Sequence, residues 1–467
     1  MTAVPPTPSA EARCPVAPIA AREPPASGPD GHLADYRANL LGFLLRLARE
    51  HGPIARYRLR DWRQYLLTDP ALIAEPLLKN PRAYVKNRFV WKHNGRFLGE
   101  GLLTSEGDTW RRKRLVQAKA FQPQHLERYA EVMTAYAEAA TGSWQDGEVR
   151  DLHREMMKLT ARIVARTLLG IDYEDADERI VDAMETILRE LPPRTTRRYR
   201  YPDWIPTAAN RRWNAALAQL DRTVHGFIDT ERRRAATAGD AAPAPHTLLA
   251  ILMAARDEDG RAPTRKQLRD DILTLFFAGH ETTAAGLSWT LWLLSQHPAA
   301  LARLVDEVDT VVGTGPVRLE HLPKLEWAAR VIRESHRLYP PVYLIGRTPI
   351  ADHAISGCPV ERGSVVQISS WVLHRDPERY PDPDAFLPER WTPAFEASLP
   401  RFGYLPFGGG PRTCIGERYA IMESLIVLAT IVRDWRFDYA GRKPPRPQVS
   451  LTLKPGGGVP MRLGRRR

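Results

Sequence analysis

Apolar residues at Leu40, Leu41, Leu44, Leu45 and Leu47 recur with the spacing of one helical face and predict an amphipathic helix over 33–50. Residues 54–59 and 64–68 then alternate around Arg60-Asp61-Trp62-Arg63, the pattern of a β-hairpin. From 70 to about 320 the pattern is predominantly helical, without an internal repeat. Its longest stretch, 264–297, begins with Thr264 and Gln267 as a capping box and closes at Pro298. A helix of that length spans roughly 50 Å, enough to cross a whole domain. The last hundred residues mix short strands, a proline-rich meander and one helix over 419–432. A closing hairpin is expected from 449–453 and 459–463, turning at Pro455-Gly456-Gly457-Gly458. No linker divides 33 from 463. The pattern therefore predicts a mainly α fold with a minor β part, one domain over 31–467 behind a Pro/Ala-rich tail, 1–30, expected to be disordered.

Composition narrows the class. Hydrophobic residues at 43% and charged residues at 26% fit a globular chain. The three cysteines, Cys14, Cys358 and Cys414, offer neither a disulfide framework nor zinc spacing, which suits a reducing cytoplasm. A net charge of +12 raises nucleic acid as a partner, but the arginines are spread along the chain with no recognition motif. An acidic electron-transfer partner is an equally good use for them. The densest apolar run, 272–279, is far short of the roughly 20 residues of a membrane span, so a soluble, cytoplasmic protein without a transmembrane segment is expected. Arg197-Arg198-Tyr199-Arg200-Tyr201-Pro202 reads as a solvated basic-aromatic loop, and 235–246 as a second flexible connection.

Candidate chemistry gathers at four places. Phe407-Gly408-Gly409-Gly410-Pro411-Arg412-Thr413-Cys414-Ile415-Gly416 sets a cysteine in a glycine-rich loop just before a helix, whose N-terminus favours thiolate over thiol. Trp110 and Arg114 lie four apart on a helix that Asp108 is expected to cap; alone they read as part of a solvated basic face with Arg111, Arg112 and Lys113. Midway along 264–297 stands Ala278-Gly279-His280-Glu281-Thr282-Thr283. Glycine there costs about 0.5–1 kcal/mol relative to alanine, so a close approach is expected. Thr282 can bond its own backbone one turn back while Glu281 faces solvent. Lastly, Glu334-Ser335-His336-Arg337 is followed by Tyr339-Pro340-Pro341, His374-Arg375-Asp376-Pro377 and Pro388-Glu389-Arg390-Trp391. A pair spaced like Glu334 and Arg337 is by itself a weak surface ion pair.

In this order the segments resemble the cytochrome P-450 superfamily, and within it soluble bacterial members. The resemblance covers about 34–464 and is most specific at Phe-Gly-x-Gly-x-Arg-x-Cys-x-Gly. It implies a helical prism around a buried haem b, crossed by a long oxygen-groove helix and flanked by small β-sheets. It further implies Cys414 as the axial thiolate of the iron within a loop opened by Phe407, and Trp110, Arg114, Arg347 and Arg412 around the haem propionates. Thr282 and Glu281 would be the acid–alcohol pair that supplies protons to O2, with His280 beside the groove and not a ligand. Glu334, Arg337 and Arg390 would form a buried structural network. Leu103, Phe277, Ala278, Val342, Leu344 and Leu451 would line the substrate pocket, and all are apolar. The implied reaction is monooxygenation of a small lipophilic substrate (fatty acid, terpenoid, steroid or polyketide) with electrons from a separate ferredoxin or flavodoxin and its reductase. A peroxide-driven peroxygenase and a haem-binding carrier or sensor without turnover are the alternatives.

Overall fold

The long helix, Arg265–Gln296, forms as expected, with both bonds of the Thr264–Gln267 capping box made and His297 at its far end. It is apolar nearly all round and buried along most of its length, as a helix surrounded by others must be. Helices Leu152–Leu169, Ala208–Ala238, Glu326–Leu338 and Glu417–Asp434 pack around it. Met156, Val164, Phe276, Leu291 and Ile426 lie within the resulting core. Gly279 has a packing reason: a Cβ there would stand 3.1 Å from the Val164 side chain of the helix Leu152–Leu169. The computed structural model describes residues 19–87, 95–171, 177–196, 201–238 and 247–466.

The hairpin forms between β1 (Ile54–Leu59) and β2 (Trp62–Leu67), with Leu59 opposite Trp62. Arg60 takes a φ of 55° in the two-residue turn between them. With β3 (Tyr84–Lys86), β5 (Ile345–Pro349) and β8 (Val365–Ile368), it builds a five-stranded sheet in the order β1-β2-β8-β5-β3. Strand β4 (Val149–Asp151) belongs to another sheet, and β6 (His353–Ile355) pairs with β7 (Cys358–Val360).

Several expectations need correction. The segment 33–50 is two helices, Leu33–Ala38 and Leu40–His51, because Asn39 leaves helical geometry at φ −157° and caps the second through Gly42 N–H. Residues 1–18 of the predicted disordered tail lie outside the described residues. Residues 19–30 are held against the sheet, with Ile19 N–H donating to Ser356 and Arg22 N–H to Ile54. The closing hairpin is not formed as expected. Instead β10 (Arg446–Val449) pairs with β11 (Leu453–Gly456), and β12 (Pro460–Arg465) joins β4 and β9 (Trp435–Tyr439) in a three-stranded sheet. Asp108 is not a cap: helix Gly107–Ala118 follows Glu106, whose carboxylate is drawn away by Arg412 and the Lys86 N–H. Arg197–Arg200 of the basic loop and residues 239–246 of the second connection lie outside the described residues; Tyr201 and Trp204 are exposed. Among the described residues, no helix is long and apolar enough to cross a membrane.

Candidate active site

The cysteine loop is closed by its own backbone: the Cys414 N–H donates to the Phe407 carbonyl over 2.9 Å. Gly410 lies against the Leu77 carbonyl with φ +71°, a position where both the space and the backbone require glycine. Cys414 is accessible and yet surrounded by protein atoms. Burial pushes its thiol up, opposed by the Gly416 N–H and by Arg114, while Glu417 adds to the rise. The helix Glu417–Asp434 therefore starts beside the sulfur, as the sequence predicts.

Beside this loop stands a cluster of cations. Arg114 donates to the Thr413 carbonyl over 2.8 Å. Arg412 pairs with Glu106 and lies with its guanidinium carbon 4.3 Å from the centre of the Trp110 ring. Arg347, on β5, donates to the Gly346 carbonyl at 3.1 Å. Burial and then Arg412 push Arg347 down to about 10. Lys86, which no sequence motif marked, donates to the carbonyls of Leu102 and Ser105. Burial, reinforced by Arg412, Arg347 and Arg114, pushes it down to about 7 against the pull of Glu106. Lys86, Arg347 and Arg412 thus share one carboxylate, Glu106, and Arg114 adds a fourth basic group beside Lys86. Like charges held together away from water require counter-charges.

On the long helix, Thr282 donates its hydroxyl to the Ala278 carbonyl over 2.6 Å, the back-bond foreseen from sequence. Glu281 does not face solvent. It is fully buried, accepts the Thr452 hydroxyl at 2.6 Å on Oε1, and is pushed up to about 7 by burial. His280 is buried with its Nδ1 3.2 Å from the Phe276 carbonyl, and burial pushes it down to about 4. Glu334 is the hub of a separate, dry network. It receives Arg337 through two nitrogens at 2.9 and 2.8 Å, Arg390 at 3.1 Å, Trp391 at 2.9 Å and the Leu387 N–H at 2.9 Å.

Of the apolar pocket residues, Phe277 is buried, with its ring against Phe97. Leu103 and Leu451 are half-buried against the main core, Leu344 packs on a smaller one, and Val342 is exposed. Ala278 is half-buried one position beyond Phe277 on the long helix. Leu453 N–H ties its segment to Pro341, the Thr452 hydroxyl and the Trp289 indole tie that segment to the long helix, and Gly101 abuts the Thr274 side chain of the same helix.

The family profile of cytochrome P-450 matches residues 30–459. The chain belongs to this family. Cyclooctatin synthase of Streptomyces melanosporofaciens is 36% identical over 92% of this chain and 93% of that protein. Pentalenene oxygenase of Streptomyces avermitilis is 33% identical over 93% of this chain and 95% of that protein. Cyclooctat-9-en-7-ol 5-monooxygenase of Streptomyces melanosporofaciens is also 33% identical, over 91% and 93%. The chain is accordingly a haem-thiolate monooxygenase of a lipophilic substrate, with haem b as its cofactor.

The cytochrome P-450 cofactor fits the residues present. Haem b carries two propionates, and the four cations offset by Glu106 provide the complementary charge. Arg412 Nη1 is buried with no hydrogen-bond partner among the described residues, so this charge still has donor capacity. Trp110, Arg114, Arg347 and Arg412, singled out in the sequence, come together in this cluster. Lys86 and Glu106 carried no sequence signal, and only the fold supplies their neighbours.

Proposed function

We propose that this cytochrome P-450 hydroxylates or epoxidises a cyclic terpenoid, and that Cys414 would hold the haem iron through its thiolate while Lys86, Trp110, Arg114, Arg347 and Arg412 would hold the propionates. The observation that carries the site is the cation cluster joined to the cysteine loop through Arg114 and the Thr413 carbonyl. The substrate class rests on two of the relatives, named pentalenene oxygenase and cyclooctat-9-en-7-ol 5-monooxygenase, and the apolar character of all six pocket residues agrees with it. Bound haem supplies the activation of O2. The chain's own part is to hold the cofactor, exclude water and deliver protons. Glu281, buried and poised near neutrality, is the proton donor; Thr282 keeps an oxygen that can accept a hydrogen bond while its proton rests on Ala278. The network around Glu334 holds the meander against the core. Residues 31–467 form one catalytic domain in the cytoplasm, reduced by a separate ferredoxin or flavodoxin with its reductase.

A spectral titration tests the reading. Cyclic sesquiterpenes and diterpenes should shift the haem absorption band at lower concentration than fatty acids, steroids or polyketides. With surrogate redox partners, the tightest binder should give a product carrying one added oxygen. Tight binding of fatty acids with terpenes inert would remove the terpenoid assignment.

A further inference from the structure

The turn Ser450-Leu451-Thr452 lies outside the four places where candidate chemistry gathers in the sequence. Strands β10 and β11 carry it to the middle of the long helix, where it is fixed on several sides. Leu453 N–H donates to the Pro341 carbonyl at 2.9 Å, and Trp289 Nε1 donates to the Leu453 carbonyl at 3.0 Å. The Tyr343 hydroxyl donates to the Ser450 carbonyl at 2.9 Å. The Thr452 hydroxyl reaches Glu281 Oε1 at 2.6 Å. Thr452 is 2% exposed and Glu281 0%, so this last bond is made away from water, where it is strong and its loss is costly. Glu281 Oε2 is also buried and has no hydrogen-bond partner among the described residues.

We propose that Thr452 is a positioning residue for Glu281: its hydroxyl holds Oε1, and this directs Oε2 as the oxygen that carries the transferable proton. The inference rests on the reading of Glu281 as proton donor. It assigns the orientation of that donor to the C-terminal turn and not to the helix that bears it. It also puts the positioning residue next to Leu451 of the pocket, so that the turn shaping the pocket also sets the acid.

The arrangement has a defined pH signature. Burial raises Glu281, and the Thr452 hydroxyl and Lys454 pull it back, because both favour the carboxylate over the acid. The other titratable groups from the surrounding elements are His280 on the same helix, His153, Glu423 and His336. Burial pushes each histidine down to about 4 and raises Glu423 well above the usual carboxylate range. His153 belongs to the helix Leu152–Leu169, Glu423 faces Thr283 from Glu417–Asp434, and His336 faces Gly286 from Glu326–Leu338. Burial disfavours the charged form of each of these four, and the charged group that acts on Glu281 is Lys454. Removing the Thr452 hydroxyl therefore raises Glu281 further, and the protonated acid persists to higher pH.

The test uses haem-loaded Thr452→Val, Thr452→Ser and Glu281→Gln, and the double variant Glu281→Gln with Thr452→Val. Product, peroxide and NADPH are followed across pH, and the Glu281 carboxyl stretch is read by infrared difference against Glu281→Gln. Thr452→Val should keep its haem and its substrate-induced spectral shift. Its alkaline limb should move to higher pH, product per NADPH should fall, and the carboxyl stretch should move to higher wavenumber. Thr452→Ser should restore all three. In the Glu281→Gln background, Thr452→Val should change nothing further. Thr452→Cys, close in volume with a weaker donor, should give intermediate values and serves if the valine variant does not fold. An unmoved limb and stretch in Thr452→Val, or an undiminished effect in the Glu281→Gln background, overturns the positioning role alone. If Glu281→Gln itself leaves the pH profile and product per NADPH unchanged, the proton-donor reading fails and the proposal falls with it.

Discussion

Thr282 shows how one side chain can satisfy a local rule and still serve chemistry. Its hydroxyl proton rests on Ala278, a bond that slightly disfavours a helix, so Thr282→Ala should fold with stability within about 0.5 kcal/mol of the parent. Product per NADPH should nevertheless fall and peroxide rise; an unchanged ratio would leave the hydroxyl without a part in proton delivery. Cationic residues divide in the same way. A charged hydrogen bond contributes about 1.5–3 kcal/mol net, so Arg412→Ala should weaken haem binding by roughly ten- to a hundredfold. Arg111 forms an exposed pair with Asp108 at 3.3 Å, and Arg111→Ala should leave haem affinity at the parent value. Equal haem titrations for the two variants would return Arg412 to the surface. Both arginines stand in the sequence, but only Arg412 sits in a recognisable loop. Lys86 has no such frame: a lysine in a three-residue strand becomes informative only when folding brings Arg347 and Arg412 beside it.

Among the elements, the long helix was the most legible, because its capping box, length and closing proline are local signals. The C-terminal strands were not, and the reason is also physical. A turn followed by an apolar run favours a hairpin, but β12 gains more by joining β4 and β9, partners that local periodicity cannot name. The split at Asn39 was readable in principle from Asn as an N-cap, but the continuous leucine face masked it. E-x-x-R looked weak as an isolated pair and became a junction once the meander folded over it. Glu334 receives five hydrogen bonds, two of them from Arg337, with no exposure to water. Glu334→Gln keeps the shape but leaves Arg337 and Arg390 without their buried counter-charge, at a cost of about 3–5 kcal/mol. Denaturant unfolding should show that loss together with reduced haem content. A change below about 1 kcal/mol would make the network dispensable.

For the molecule as a whole, the net charge of +12 means something different once the fold is known. Part of the positive charge is interior, held by segments from Lys86 to Arg412 that meet at one site. These cations repel one another and are desolvated, so the haem-free chain is less stable for having them, while the haem-loaded chain uses them. The two states should respond oppositely to Arg347→Leu. Among the described residues the Arg347 side chain makes one hydrogen bond, to its neighbour's carbonyl, and burial and Arg412 both disfavour its charge. Replacing it with leucine removes a desolvated charge and keeps apolar bulk, so the haem-free protein should be as stable as the parent or more so. Haem binding loses a propionate partner. Since a ligand stabilises by its concentration relative to its dissociation constant, a tenfold weaker affinity removes about 1.4 kcal/mol of that gain. Thermal unfolding of both variants at several haem concentrations separates the contributions. The expected result is a haem-free Tm at or above the parent's and a smaller rise on adding haem. If Arg347→Leu lowers both states equally, Arg347 is a packing residue of β5, and the propionates must be balanced by the other cations.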